Sequence, residues 1–214
     1  MIFDRQKEGE EAWVAPFILN KRLVDAGWPP LSARSVSRMR TPQLARLIHG
    51  NRGTEKALHH SCNEIAKALV FASRKIVAEY GGDASRIRDD RPTARELVLR
   101  FDEFYGIGQK LYSMAARILV EDYNVPITGD RSALDISLDR HVRRVFIRTG
   151  LVERDDGPTI VRVAQKLHPD FPGVLDIPTW RIGSEWCHPS RPDCQSCPIR
   201  LYCPKKRRYR EVVP

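Results

Sequence analysis

The chain has 214 residues, a length for one domain or two small ones, and its 42% hydrophobic and 29% charged content excludes both a large multidomain assembly and global disorder. Lysine and arginine total 36 against 27 acidic residues, a formal charge of +9 that points to a polyanionic partner or, equally, to a solvated Arg-rich surface. No apolar run approaches the roughly 18 residues that cross a bilayer, and the opening MIFDRQKEGEE is charged where a secretory signal is apolar, so a cytoplasmic protein without membrane contact is expected.

Apolar residues recur at three-to-four spacing and alternating runs of strand length are nearly absent, so the expected fold class is all-α. Breaks fall at Gly27 to Pro30, at Gly81-Gly82, at Val125 to Asp130 and at Phe171 to Gly173. Thr41 followed by Pro42 reads as an N-cap with proline at the first helical position, opening a helix whose Leu44, Leu47 and Ile48 share a face. Residues from about Thr54 to Tyr80 carry Leu58, Ile65, Leu69 and Ile76 in helical register until Gly81-Gly82 stop them. Arg91-Pro92-Thr93 starts the next helix, with Leu97 and Phe101 inward. Phe104 to Lys110 (FYGIGQK) then turns the chain into a helix running from Lys110 to Val120, with Leu111, Met114, Ala115 and Ile118 on its apolar face.

Two glycines in that turn allow positive φ and a close approach of bare backbone, so N–H groups at the start of the second helix can meet a phosphate. An ordinary αα corner has the same appearance. Further on, Asp139 precedes a helical run, LDRHVRRV, where its carboxylate can cap free N–H groups. His141 reads as a packing residue.

Four of the five cysteines, Cys187, Cys194, Cys197 and Cys203, form C-x6-C-x2-C-x5-C within 17 residues, while Cys62 reads as a small buried apolar residue. An odd total and no secretory signal argue for thiolates around a metal rather than disulfides. One compact loop, stiffened by Pro189, Pro192, Pro198 and Pro204, suits a 4Fe-4S cluster whose irons each take one sulfur. Zinc, which usually takes two short Cys pairs far apart, and accidental clustering are the alternatives.

The segment from Cys187 to Cys203 resembles the cluster loop of the endonuclease III and adenine DNA glycosylase family at all four ligand positions. FYGIGQK resembles that family's helix-hairpin-helix turn, hydrophobic-x-Gly-hydrophobic-Gly, and Leu138 to Val145 resembles its catalytic aspartate segment. The resemblance spans about Arg95 to Cys203. It implies a two-lobed helix-hairpin-helix DNA glycosylase fold with a C-terminal iron-sulfur cluster loop, divided into a central domain (26–136) and a cluster domain (1–25 plus 137–214).

What the resemblance implies for activity is excision of a damaged or mismatched base from double-stranded DNA by a monomer. Asp139 and Lys110 are its catalytic residues, Gly106, Ile107, Gly108, Gln109 and Arg191 its DNA contacts, and the four cysteines its 4Fe-4S ligands. A lysine at the position of Lys110 marks family members that cut the strand as well as the glycosidic bond. Only 9 of 214 residues are lysines, so chance places one there about 4% of the time. A solvated lysine, a glycosylase that only removes the base, a non-catalytic binder of distorted DNA and a zinc-containing DNA adaptor are the competing readings. Two departures stand out. An inserted-looking Thr128 to Ser132 lengthens the stretch between Lys110 and Asp139, and no glutamine-bearing duplex wedge is found, Phe17 to Arg22 occupying its expected region. The run Lys205 to Arg208 with Arg210 is either a phosphate-contacting arm or a solvated tail.

Overall fold

The computed structural model describes residues 2–4, 9–51 and 53–204, so the basic run from Lys205 onward lies outside the described residues. The fold is all-α: among the described residues there are no strands, only an isolated bridge between Thr93 and Thr128. No described helix is long and apolar enough to cross a membrane. Contacts divide the described residues into two compact units, one within Met1–Arg91 and Leu99–Leu111, the other within Pro92–Val98 and Tyr112–Pro214.

In the first unit a 3-10 turn, Ile2–Asp4, precedes α1 (Gly9–Asp25), α2 (Ala33–Ser37), α3 (Thr41–His49) and α4 (Cys62–Glu79). Their core joins Leu19 and Leu23 of α1 to Val36, Met39, Leu44, Ile48 and Ile65, with Phe3 of the opening turn buried beside them. The opening turn and α1 therefore group with the helices that follow, through Phe3, Ala12, Ala15, Leu19 and Leu23, whereas the sequence division set 1–25 with 137–214. Two boundaries also move. The cap of α3 is Arg40, one residue before Thr41, and its N–H donates to Gln43 Oε1 at 3.0 Å. Helix α4 starts eight residues later than expected because the buried guanidinium of Arg22 binds the carbonyls of Leu47 and Lys56, each at 2.8 Å, and folds the intervening chain into turns. Leu58 is buried all the same, reaching the core from that turn rather than from a helix.

Gly81 and Gly82 end α4 at positive φ, as expected, with Gly82 N–H returning to Ile76 O at 2.9 Å. Helix α5 (Ala94–Asp102) opens on a reciprocal cap: Thr93 N–H donates to Glu96 Oε2 at 2.7 Å and Glu96 N–H to Thr93 Oγ1 at 3.2 Å. Helix α6 (Gln109–Glu121) follows the hairpin turn, and the boundary between the units crosses both α5 and α6.

The second unit continues through α7 (Arg140–Arg148), α8 (Gly157–Leu167), α9 (Asp176–Arg181) and a single π turn, Ile182–Trp186, which leads into the cysteine loop. Its core is built by Ile136, Val142, Phe146, Ile160 and Ala164. The inserted-looking stretch closes as a tight turn, with Asp130 Oδ1 accepting from Ser132 N–H at 2.9 Å and Oγ at 2.6 Å.

Candidate functional site

Within the first unit the hairpin is set by backbone geometry. Phe104 N–H donates to Phe101 O at 3.2 Å and Ile107 N–H to Phe104 O at 3.0 Å, closing a turn in which Gly106 has φ +76°. A side chain is strained in that region, so the position calls for glycine. Gly108 does not adopt positive φ; around it there is open space, and both glycines are exposed. Ile107 is drawn inward against Ala72, Ile87 and Phe104, which leaves its backbone, not its side chain, on the turn. The turn is flanked by exposed Tyr105, which lies 5.2 Å from the Phe71 ring and carries Lys67 Nζ 4.7 Å above its own.

Lys110 sits in the first turn of α6, half-buried, and its Nζ is 2.8 Å from Asp4 Oδ2 and 3.3 Å from the Asp4 backbone oxygen. No sequence signal announces this partner, which lies 106 positions away.

Asp139 belongs to the second unit. It is the N-cap of α7, Oδ1 accepting from Val142 N–H at 2.8 Å, so the capping role anticipated for it is present, and Oδ2 has no hydrogen-bond partner among the described residues. The irregular segment before it is fastened by Asp176, whose buried carboxylate accepts from Ser137 N–H at 3.2 Å, Ser137 Oγ at 2.8 Å and Arg117 Nε at 3.2 Å. Burial pushes the Asp176 carboxyl up, while the Ser137 hydrogen bond and Arg117 oppose that. His141 packs edge-on to Trp180 and presses so close to Gly183 that a Cβ there would lie 2.5 Å from His141 Cβ. Burial pushes the His141 imidazole below its ordinary 6.5.

The four loop cysteines are free, half-buried and line one cavity of about 30 Å³, with Val145 and Arg148 of α7 and its C-cap Thr149 forming another wall. That is room for more than one water. Among the described residues no His, Cys, Asp or Glu side chains are gathered as a single metal ion requires; the thiols stand around a space. Burial pushes the Cys197 thiol up, and the three other loop cysteines add to it. Two arginines of α7 fix the loop. Buried Arg144 donates to Cys187 O at 2.5 Å and Gly183 O at 2.7 Å, and Arg148 to Cys187 Sγ at 3.5 Å, His188 O at 2.6 Å and Pro189 O. Arg191, between Cys187 and Cys194, is exposed. Nothing in the sequence marks Arg144, Arg148, Asp176 or Asp4 for these contacts.

No family model matches the chain. It is 28% identical over 152 residues to adenine DNA glycosylase of Mus musculus, an alignment covering 68% of this chain and 25% of that protein. The chain thus spans about a quarter of the length of the curated relative it matches. Its fold is that of the endonuclease III structures. A trapped covalent intermediate of endonuclease III with DNA superposes with TM-score 0.69 at 16% identity, over 95% of this chain and 80% of that one. A non-covalent endonuclease III complex with DNA gives 0.59 at 17% over 93% and 85%, and a thermostable thymine-DNA glycosylase 0.59 at 16% over 95% and 80%. The resemblance drawn from the cysteine loop, the hairpin and the aspartate segment agrees with all four.

Proposed function

We propose that this protein is a monomeric DNA glycosylase that removes a damaged or mismatched base and then cleaves the strand at the abasic site. The observation that carries the proposal is a lysine in the first turn after a positive-φ glycine hairpin, in a chain with the endonuclease III fold over 95% of its length. A stacked base is out of reach, so the nucleotide is first extruded, at a cost of a few kcal/mol that damaged or mismatched bases lower. The turn formed by Gly106, Ile107, Gly108 and Gln109 meets a phosphate through backbone N–H groups other than that of Ile107, which donates to Phe104 O, and Arg191 offers a second, charged contact.

As the bond between C1′ and the base nitrogen breaks, the base leaves with the electron pair and takes a proton, and positive charge grows on the sugar. The Asp139 carboxylate stabilises that charge. The neutral amine of Lys110 bonds C1′ and loses one proton; the C1′–O4′ bond then breaks, O4′ taking up a proton as the ring opens, and the nitrogen lone pair closes the protonated imine. Loss of a proton from C2′ then expels the 3′ phosphate with the C3′–O electron pair.

A 4Fe-4S cluster fits the donor set: four free thiols edge one cavity, with a guanidinium donating to one of them. Cys187, Cys194, Cys197 and Cys203 would hold it, and bound there it would cross-link the loop rather than supply hydrolytic chemistry. The test is a panel of duplexes carrying oxidised pyrimidine, uracil or thymine mismatches, alkylated purine or 8-oxoguanine. Release of at least one free base is expected, and no release across the panel contradicts the proposal. Base release without a borohydride-trapped adduct leaves the base-removal activity and removes the lyase.

A further inference from the structure

The turn Ile2–Asp4 has no part in the chemistry above, yet it supplies the ion-pair partner of Lys110. Asp4 is 7% exposed and the turn that presents it is anchored: Phe3 is 2% exposed in the core beside α1 and α4, and Ile2 packs against both apolar clusters of the same unit. Two separate oxygens hold the amine, Oδ2 at 2.8 Å and the backbone carbonyl at 3.3 Å. The paired side chains are 33% and 10% exposed, so water screens this contact less than it screens an open surface pair.

We infer that Asp4 is a positioning residue that holds the Lys110 amine back from reaction, so that covalent chemistry begins only when the pair opens. The inference rests on reading Lys110 as the nucleophile. An ammonium bound by a carboxylate has no lone pair to give. Before it attacks, Lys110 must leave Asp4 and pass a proton to solvent water, after which the nitrogen lone pair is free to bond C1′. Loss of the carboxylate removes the first of those steps. A residue that merely stabilised the turn would leave the rate unchanged or lower it when removed, whereas a restraint gives a gain.

The experiment uses the full chain and a duplex with a single abasic site, which makes it independent of the base that is excised. In the trapped reaction the C1′ oxygen of the aldehyde leaves as water, an imine forms with Nζ, and borohydride delivers hydride to C1′. With protein in saturating excess, Asp4→Asn is expected to raise the trapping rate about fivefold, Asp4→Glu to return it toward the parent value, and Lys110→Gln to abolish it. Should Asp4→Asn fail to fold, Asp4→Ser is expected to show the same gain. A parent protein that traps while Asp4→Asn and Asp4→Ser are unchanged or slower overturns the inference and leaves the lyase standing. No adduct in any of them, or an adduct that survives Lys110→Gln, overturns the reading of Lys110 and this inference with it.

Discussion

The hairpin of the first unit and the cysteine loop of the second are both irregular segments, but they hold their shape by different means. The hairpin is fixed locally, by short-range backbone hydrogen bonds and one glycine at φ +76°, with Ile107 as its apolar anchor. The loop is fixed from outside. Arg144 and Arg148 reach across some 40 positions to bind its carbonyls and a sulfur, and the thiols themselves leave a cavity at the centre. A locally closed turn fails by degrees, whereas a loop strung on two buried guanidiniums fails as a whole.

Cys194→Ser breaks the loop at its centre and carries the largest expected effect: the parent is expected to be yellow-brown with about four irons per chain, and the variant to be bleached and iron-poor by metal analysis. Arg144→Met comes next. It strands the carbonyls of Cys187 and Gly183 and should cost about 3 kcal/mol of unfolding free energy by denaturant titration. At the hairpin, Gly106→Ala is smaller, about 1 kcal/mol for an alanine forced to positive φ, accompanied by weaker binding to a duplex of any sequence. If Gly106→Ala proves the more damaging to folding, the contrast between the two segments is wrong.

The smallest expected effect is on pH. Burial holds the folded His141 below its ordinary 6.5, so the unfolded chain takes up its proton first as acid is added. The stability His141 contributes is present above pH 6.5 and is lost as pH falls through the lowered folded value. His141→Gln should flatten that part of the stability curve between pH 7.5 and 5.5, read from unfolding midpoints.

The same contrast explains what was legible in the sequence. Elements closed by near neighbours could be read: the caps and glycine stops that bound α4 at its end and open α5, the hairpin, and the Asp139 cap of α7. Helix α4 is shorter than its apolar pattern predicts because Leu58 keeps helical register while Arg22, more than 30 positions earlier, bends the chain around it. The cysteines were visible by spacing, since four thiolates in 17 residues are rare by chance. Their bracing arginines were not, because in an Arg-rich chain nothing separates the guanidinium that is 1% exposed at Arg144 from one in water. Asp4 and Asp176 escaped for a related reason: what sets them apart is burial beside Lys110 and Ser137, and burial of a polar side chain leaves no local mark.

The most direct test of the central claim compares base release by the parent and by Asp139→Asn in a single turnover on whichever duplex of the panel is processed. Asparagine can still cap α7, so folding and melting temperature should hold while the rate of base release falls at least about 100-fold. Equal rates from the two proteins would contradict the assignment of glycosylase chemistry to Asp139.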